Sequence, residues 1–253
     1  MPAIRSSLMP LHQLLFGPSR YVAATPWHAV WAIAATVLIF VAGQLVAAAV
    51  AGMTAGAGLA SEEVPGALML WLLVSQAAMV ALVFGAARLF RGRPRDVLQL
   101  RPVVQGLGTF AVAILAMVTL LGGLNAILYW LMATDLMADL RPHLELIRSD
   151  AWLLAALAIG AGAPLMEELT FRGFLQSALA QRLGFWPAAL VTTAAWTGLH
   201  WGYSAAGMAE VFLIGLYFSW LLWRTGSLWP ALICHAVYNT GLVLVLRFAP
   251  LPV

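Results

Sequence analysis

Long apolar runs joined by short polar links set the pattern of this chain. Seven predominantly apolar stretches of helical length lie at 27–51, 66–88, 107–132, 151–180, 186–203, 206–223 and 228–247, and about 20 such residues are what a helix needs to cross a bilayer. They predict an all-α fold, a polytopic membrane helical bundle of about seven transmembrane helices, because a helix satisfies its own backbone where no water can. Residues 1–150 are expected to hold about three helices and an interfacial linker, and 151–247 a core of about four, within a single membrane domain. No cleavable signal peptide is expected, since the first run is longer than the usual apolar region of about 7–15 residues.

Composition narrows this further. With 63% hydrophobic and 9% charged residues, against about 25% charged in an ordinary soluble domain, the chain lacks the polar surface that solubility requires. The single cysteine, Cys234, excludes an internal disulfide framework and a cysteine-based zinc site. All 13 basic residues are arginine, and with the abundant alanine this points to a GC-rich bacterial genome and so to a bacterial inner membrane. A net charge of +3 is what basic cytoplasmic loops contribute, and nucleic acid is not an expected partner.

The arginines also predict an orientation. Arg88, Arg91, Arg93, Arg95 and Arg101 crowd one link, and alternation of the seven runs puts Arg5, Arg20, Arg182 and Arg224 on the same side, nine against Arg141, Arg148 and Arg247 opposite. By the positive-inside rule the N-terminus is cytoplasmic and the C-terminus external, with Glu62, Glu63 and the 133–150 linker outside.

Ionisable residues inside a span are costly, about 2.5–3.5 kcal/mol each on insertion scales, and mark function by default. The fourth run holds three, Glu167, Glu168 and Arg172, in "PLMEELTFRGF". Glu168 and Arg172 are four apart and share a helix face, acid first, which suits a structural clamp. Glu167 lies about 100° further round and is left as the chemically available carboxylate. Pro164, after Gly160 and Gly162, predicts a bend one turn earlier. His200 in "WTGLHWG", and His235 with Asn239 in "ALICHAVYNTGL", bring polar groups to similar depth. A carboxylate and an imidazole can deprotonate water, while an imidazole N–H and an amide can donate to an oxyanion, which together suit peptide hydrolysis without a serine or cysteine nucleophile. Ser177, Ser204 and Ser227 lack a G-x-S-x-G setting. Gln44, Gln76 and Asn125 are expected to bond across helix interfaces, and Glu210 to stand near the entrance.

Over roughly 151–245 these motifs resemble the CAAX protease and bacteriocin-processing (CPBP, or Abi) family of intramembrane endopeptidases. E-E-x-x-x-R reads as Glu167, Glu168 and Arg172; the second motif, usually F-x-x-x-H, reads as Trp196 to His200, one aromatic ring for another; H-x-x-x-N reads as His235 and Asn239. The resemblance implies a catalytic cavity inside the membrane and open toward the cytoplasm, with Glu167 and His200 activating water and His235 and Asn239 stabilising the oxyanion. It implies as partners membrane lipid and a peptide or membrane-protein substrate, possible lipidation or CAAX-like character included. A cofactor-free reaction is the preferred reading. Zinc is the alternative, for which Glu167, His200 and His235 could supply three ligands. Two other functions compete: a non-catalytic adaptor or bacteriocin-immunity protein that retains the cluster, and a transporter, for which the paired interrupted helices are missing.

Overall fold

The computed structural model describes residues 11–23, 25–56, 65–132, 135 and 137–250. Arg5, Glu62 and Glu63, whose sides the arginine pattern assigned, lie outside the described residues. Seven principal helices follow in order: α1 (Ala29–Gly56), α2 (Pro65–Leu89), α3 (Gly108–Met132), α4 (Trp152–Leu183), α5 (Phe185–Gly198), α6 (Ala205–Thr225) and α7 (Trp229–Phe248). Six of them, all but α5, are long and apolar enough to cross a membrane.

The seventh expected span is corrected by α5. It has 14 residues, about 21 Å at about 1.5 Å per residue, short of a hydrocarbon core of about 30 Å. The apolar run continues through Leu199 and Trp201, but the backbone turns: Tyr203 N–H bonds to His200 O, Gly202 takes φ +108°, and the Ser204 hydroxyl caps α6 by accepting from Gly207 N–H. The chain nevertheless reverses direction through α5, because the ends of α4 and α6 meet the same N-terminal segment. Arg182 pairs with His28 at 2.8 Å, and Arg20 N–H bonds to Trp223 O. Arg101 joins this end through the Ser227 hydroxyl, whereas Arg148 and Arg247 meet at the opposite end. The bundle therefore has an arginine-rich and an arginine-poor end.

Helix α4 is the centre of the bundle. Its Phe171 ring lies 5.6 Å from Phe40 of α1, its Ala158 carbonyl accepts from Gln76 of α2, and its buried Gln176 Oε1 accepts from Thr192 of α5 and Ser219 of α6. Around Pro164 the winding changes: Ala158–Gly162 and Glu168–Gln176 are π-helical, separated by the α-helical turn Ala163–Glu167. Ala163 N–H reaches back five residues to Ala158 O, and Pro164 has no N–H to give. The carbonyls of Ile159 and Gly160 are thereby released, and α7 takes them up through Asn239 Nδ2 at 2.9 Å and Thr240 Oγ1 at 3.5 Å.

This seating needs a glycine, since a Cβ on Gly160 would run into Thr240. Gly160→Val is expected to destabilise the protein by about 1–3 kcal/mol, read as a lower melting midpoint in detergent. An unchanged midpoint would show that α7 is not held against this carbonyl.

Candidate active site

The clamp comes first in the build-up of the site. Arg172 Nη1 donates to Glu168 Oε1 at 3.1 Å, Arg172 Nη2 donates to the carbonyl of Gly215 on α6, and both side chains are wholly buried. A glycine is required at 215, because a Cβ there would meet the guanidinium at 2.7 Å. The guanidinium carbon also lies 4.4 Å from the centroid of the Trp196 ring. Burial penalises each charge heavily, so such a pair persists only through good geometry and added hydrogen bonds.

Glu167 points elsewhere. Its side chain keeps 14% of its surface exposed, whereas Glu168 keeps none, and it lines a cavity of about 480 Å³ together with Trp196, His200, His235 and Asn239. Three helices bring these groups together: α4 carries Glu167, α5 ends at the turn that carries His200, and α7 carries His235 and Asn239 one turn apart.

His235 spans the two carboxylates, with Nδ1 3.0 Å from Glu168 Oε1 and Nε2 3.9 Å from Glu167 Oε2. Its ring stacks on Phe218 at 5.0 Å. The closer partner is thus the clamp glutamate, which no in-helix spacing could indicate. His200 Nδ1 stands 3.2 Å from Trp196 O. A carbonyl can only accept, so Nδ1 carries a hydrogen, and in the neutral ring the lone pair is then on Nε2. No hydrogen bond or ion pair joins His200 to Glu167 directly; the two share the cavity wall. Asn239 gives one N–H to Ile159 O and retains a second.

Trp196 does more than exchange one ring for another. Its indole Nε1–H donates to Glu167 Oε2 at 2.5 Å, which a phenylalanine cannot do. The upper wall of the cavity holds Glu210 and Asn125 where the sequence expected an entrance group and an interface bond, and adds Asp139 and Tyr238, which sequence reasoning missed. There Glu210 Oε1 accepts from Asn125 Nδ2 and Tyr238 hydroxyl at 3.2 and 3.1 Å, and Asp139 accepts from Ser204 N–H and hydroxyl. The linker supplies Met137, Asp139, Leu140, His143 and Ile147 as a roof. Burial pulls the His143 pKa below its ordinary value. None of Ser177, Ser204 and Ser227 lines the cavity.

Among the described residues no three His, Cys, Asp or Glu side chains are grouped so as to hold a metal ion. Glu167, His200 and His235 line one cavity without being drawn together into such a group, although the Nδ1 contact of His235 with Glu168 is of the kind that orients a ligating imidazole.

The cavity extends from mid-bundle toward the arginine-poor end. It uses the first half of α4 (Ile159, Ala163, Glu167), the first half of α6 and the second half of α7. The arginine pattern places that end outside, while the family resemblance implies a cytoplasmic opening. The two expectations name opposite faces.

Residues 149–241, rather more than a third of the chain, match the family described as Type II CAAX prenyl endopeptidase Rce1-like. This part of the chain is a CAAX-protease-like domain of the broader CAAX/Abi protease superfamily, and it contains the Glu168–Arg172 pair and the candidate residues Glu167, His200, His235 and Asn239. Neither the curated proteins nor the solved structures give a match.

Proposed function

We propose that this CAAX-protease-like domain is an intramembrane endopeptidase in which Glu167 is the general base. The observation that carries the reading is the division of two adjacent glutamates, one sealed in an ion pair and one facing a polar cavity with two histidines. Glu167 takes a proton from water as the water oxygen bonds to the scissile carbonyl carbon, and the free Nε2 of His200 accepts the water's other hydrogen. The oxyanion so formed lies against His235 Nε2–H and the second N–H of Asn239. For both ring nitrogens to donate, Nδ1–H to Glu168 and Nε2–H to the oxyanion, this step requires His235 to carry both hydrogens. Collapse breaks the C–N bond, and Glu167 returns its proton to the departing amine.

The substrate is a peptide or membrane-protein segment presented at the bilayer, with a lipidated or CAAX-like peptide as the first probe. A detergent-purified protein that cuts a quenched-fluorophore peptide bearing an S-farnesyl cysteine, and loses that activity in His200→Ala, supports the reading. An unimpaired His200→Ala variant removes His200 from the mechanism. The transporter alternative predicts solute flux in proteoliposomes, and the adaptor alternative predicts a cellular role that survives loss of Glu167, His200 and Asn239.

The physical rule for arginines is the better guide to sidedness, and the cavity mouth is accordingly external. Trp201 is 90% exposed at that end, and the native Cys234 is buried. Trp201→Cys in intact cells is expected to react with a membrane-impermeant maleimide while Arg93→Cys does not. The reverse labelling would place the mouth on the cytoplasmic side.

A further inference from the structure

We infer that Trp196 is a positioning residue that selects which oxygen of Glu167 takes the proton; this rests on the reading of Glu167 as the base. The indole N–H is committed to Oε2 at 2.5 Å, and the same oxygen faces His235 Nε2 at 3.9 Å. Oε1 receives no hydrogen bond from any described side chain and is not among the buried polar atoms. It is the oxygen left for water. A carboxylate with one oxygen held by a fixed donor presents the other in one orientation, which is how a surrounding shell lowers the cost of reaching the reactive geometry.

The donor itself is fixed. Trp196 is almost fully buried at the end of α5, its ring packed against the Arg172 guanidinium at 4.4 Å and edge-on to the His200 and His235 rings at 5.1 and 5.6 Å. The clamp therefore reaches the base through the indole: Arg172 holds Glu168 in its own helix and the Trp196 ring across the interface. Phenylalanine at 196 would keep an aromatic ring and lose the donor, so the departure from the F-x-x-x-H pattern adds a hydrogen bond to Glu167.

Two measurements on the full chain in detergent test this. With a ¹⁵N-indole label at residue 196 alone, the indole proton is expected downfield of an ordinary tryptophan and should return upfield in Glu167→Ala. A resonance indifferent to Glu167→Ala overturns the inference whether or not a substrate is cleaved. Replacing Trp196 by 3-benzothienylalanine keeps the ring and exchanges N–H for sulfur. On the farnesylated probe peptide this is expected to lower kcat roughly 10- to 100-fold, leave KM within about twofold, and add nothing in the Glu167→Gln background. Undiminished kcat beside an inactive Glu167→Gln overturns the positioning role alone. An active Glu167→Gln overturns the base assignment beneath it.

Discussion

Glu167→Gln is expected to lower peptide cleavage by about 10²–10⁴-fold, the range of a single general base, while leaving the fold intact. Glutamine keeps the size of the side chain and an oxygen that can accept the indole N–H of Trp196, but it cannot take a proton from water. Glu167 is partly exposed in the cavity and outside the buried clamp, so removing its charge leaves no opposite charge stranded without its principal partner. The check is paired: kcat on the farnesylated peptide and the melting midpoint of the same preparation. Loss of both would mean that Glu167 is structural, and loss of neither would remove it from the chemistry.

Arg172→Leu should do the opposite, acting on the fold first. It strands the fully buried Glu168 carboxylate, whose other partner is His235, frees the Gly215 carbonyl, and removes the cation beneath the Trp196 ring. Breaking one side of a buried ion pair costs about 3–5 kcal/mol, a large fraction of a typical stability of about 5–15 kcal/mol. A steep fall in folded yield and melting midpoint is expected. Glu168→Leu combined with Arg172→Leu should recover part of it, because the stranded charge is gone. If Arg172→Leu melts with the native protein, the pair is not holding α4 to α6.

The six long spans were legible because bilayer-crossing helices announce themselves by apolar length alone. The same signal misread α5: apolarity runs on through Leu199 and Trp201, and only Gly202 and the capping Ser204 mark the turn. Within α4, four-residue spacing correctly paired Glu168 with Arg172 and separated Glu167, since these contacts are local to one helix. The π-helical winding on both sides of Pro164 was not legible, although Gly160, Gly162 and Pro164 flagged the place. Contacts between helices left still less trace. That His235 bonds to Glu168, that Asn239 spends one N–H on Ile159 O, and that Gly215 makes room for a guanidinium depend on how α4, α6 and α7 are set against each other. Trp196 is the instructive case, because its indole N–H was visible in the sequence but its acceptor lies on another helix.

The role proposed for the unclamped Glu167 is to make this domain a working peptidase. It is tested most directly by mass spectrometry of membrane-associated peptides from cells that carry either the native protein or Glu167→Gln at equal abundance. Cleavage products are expected with the native protein and not with the variant, with the uncut precursor accumulating in their place. Indistinguishable peptide profiles from the two strains would contradict it.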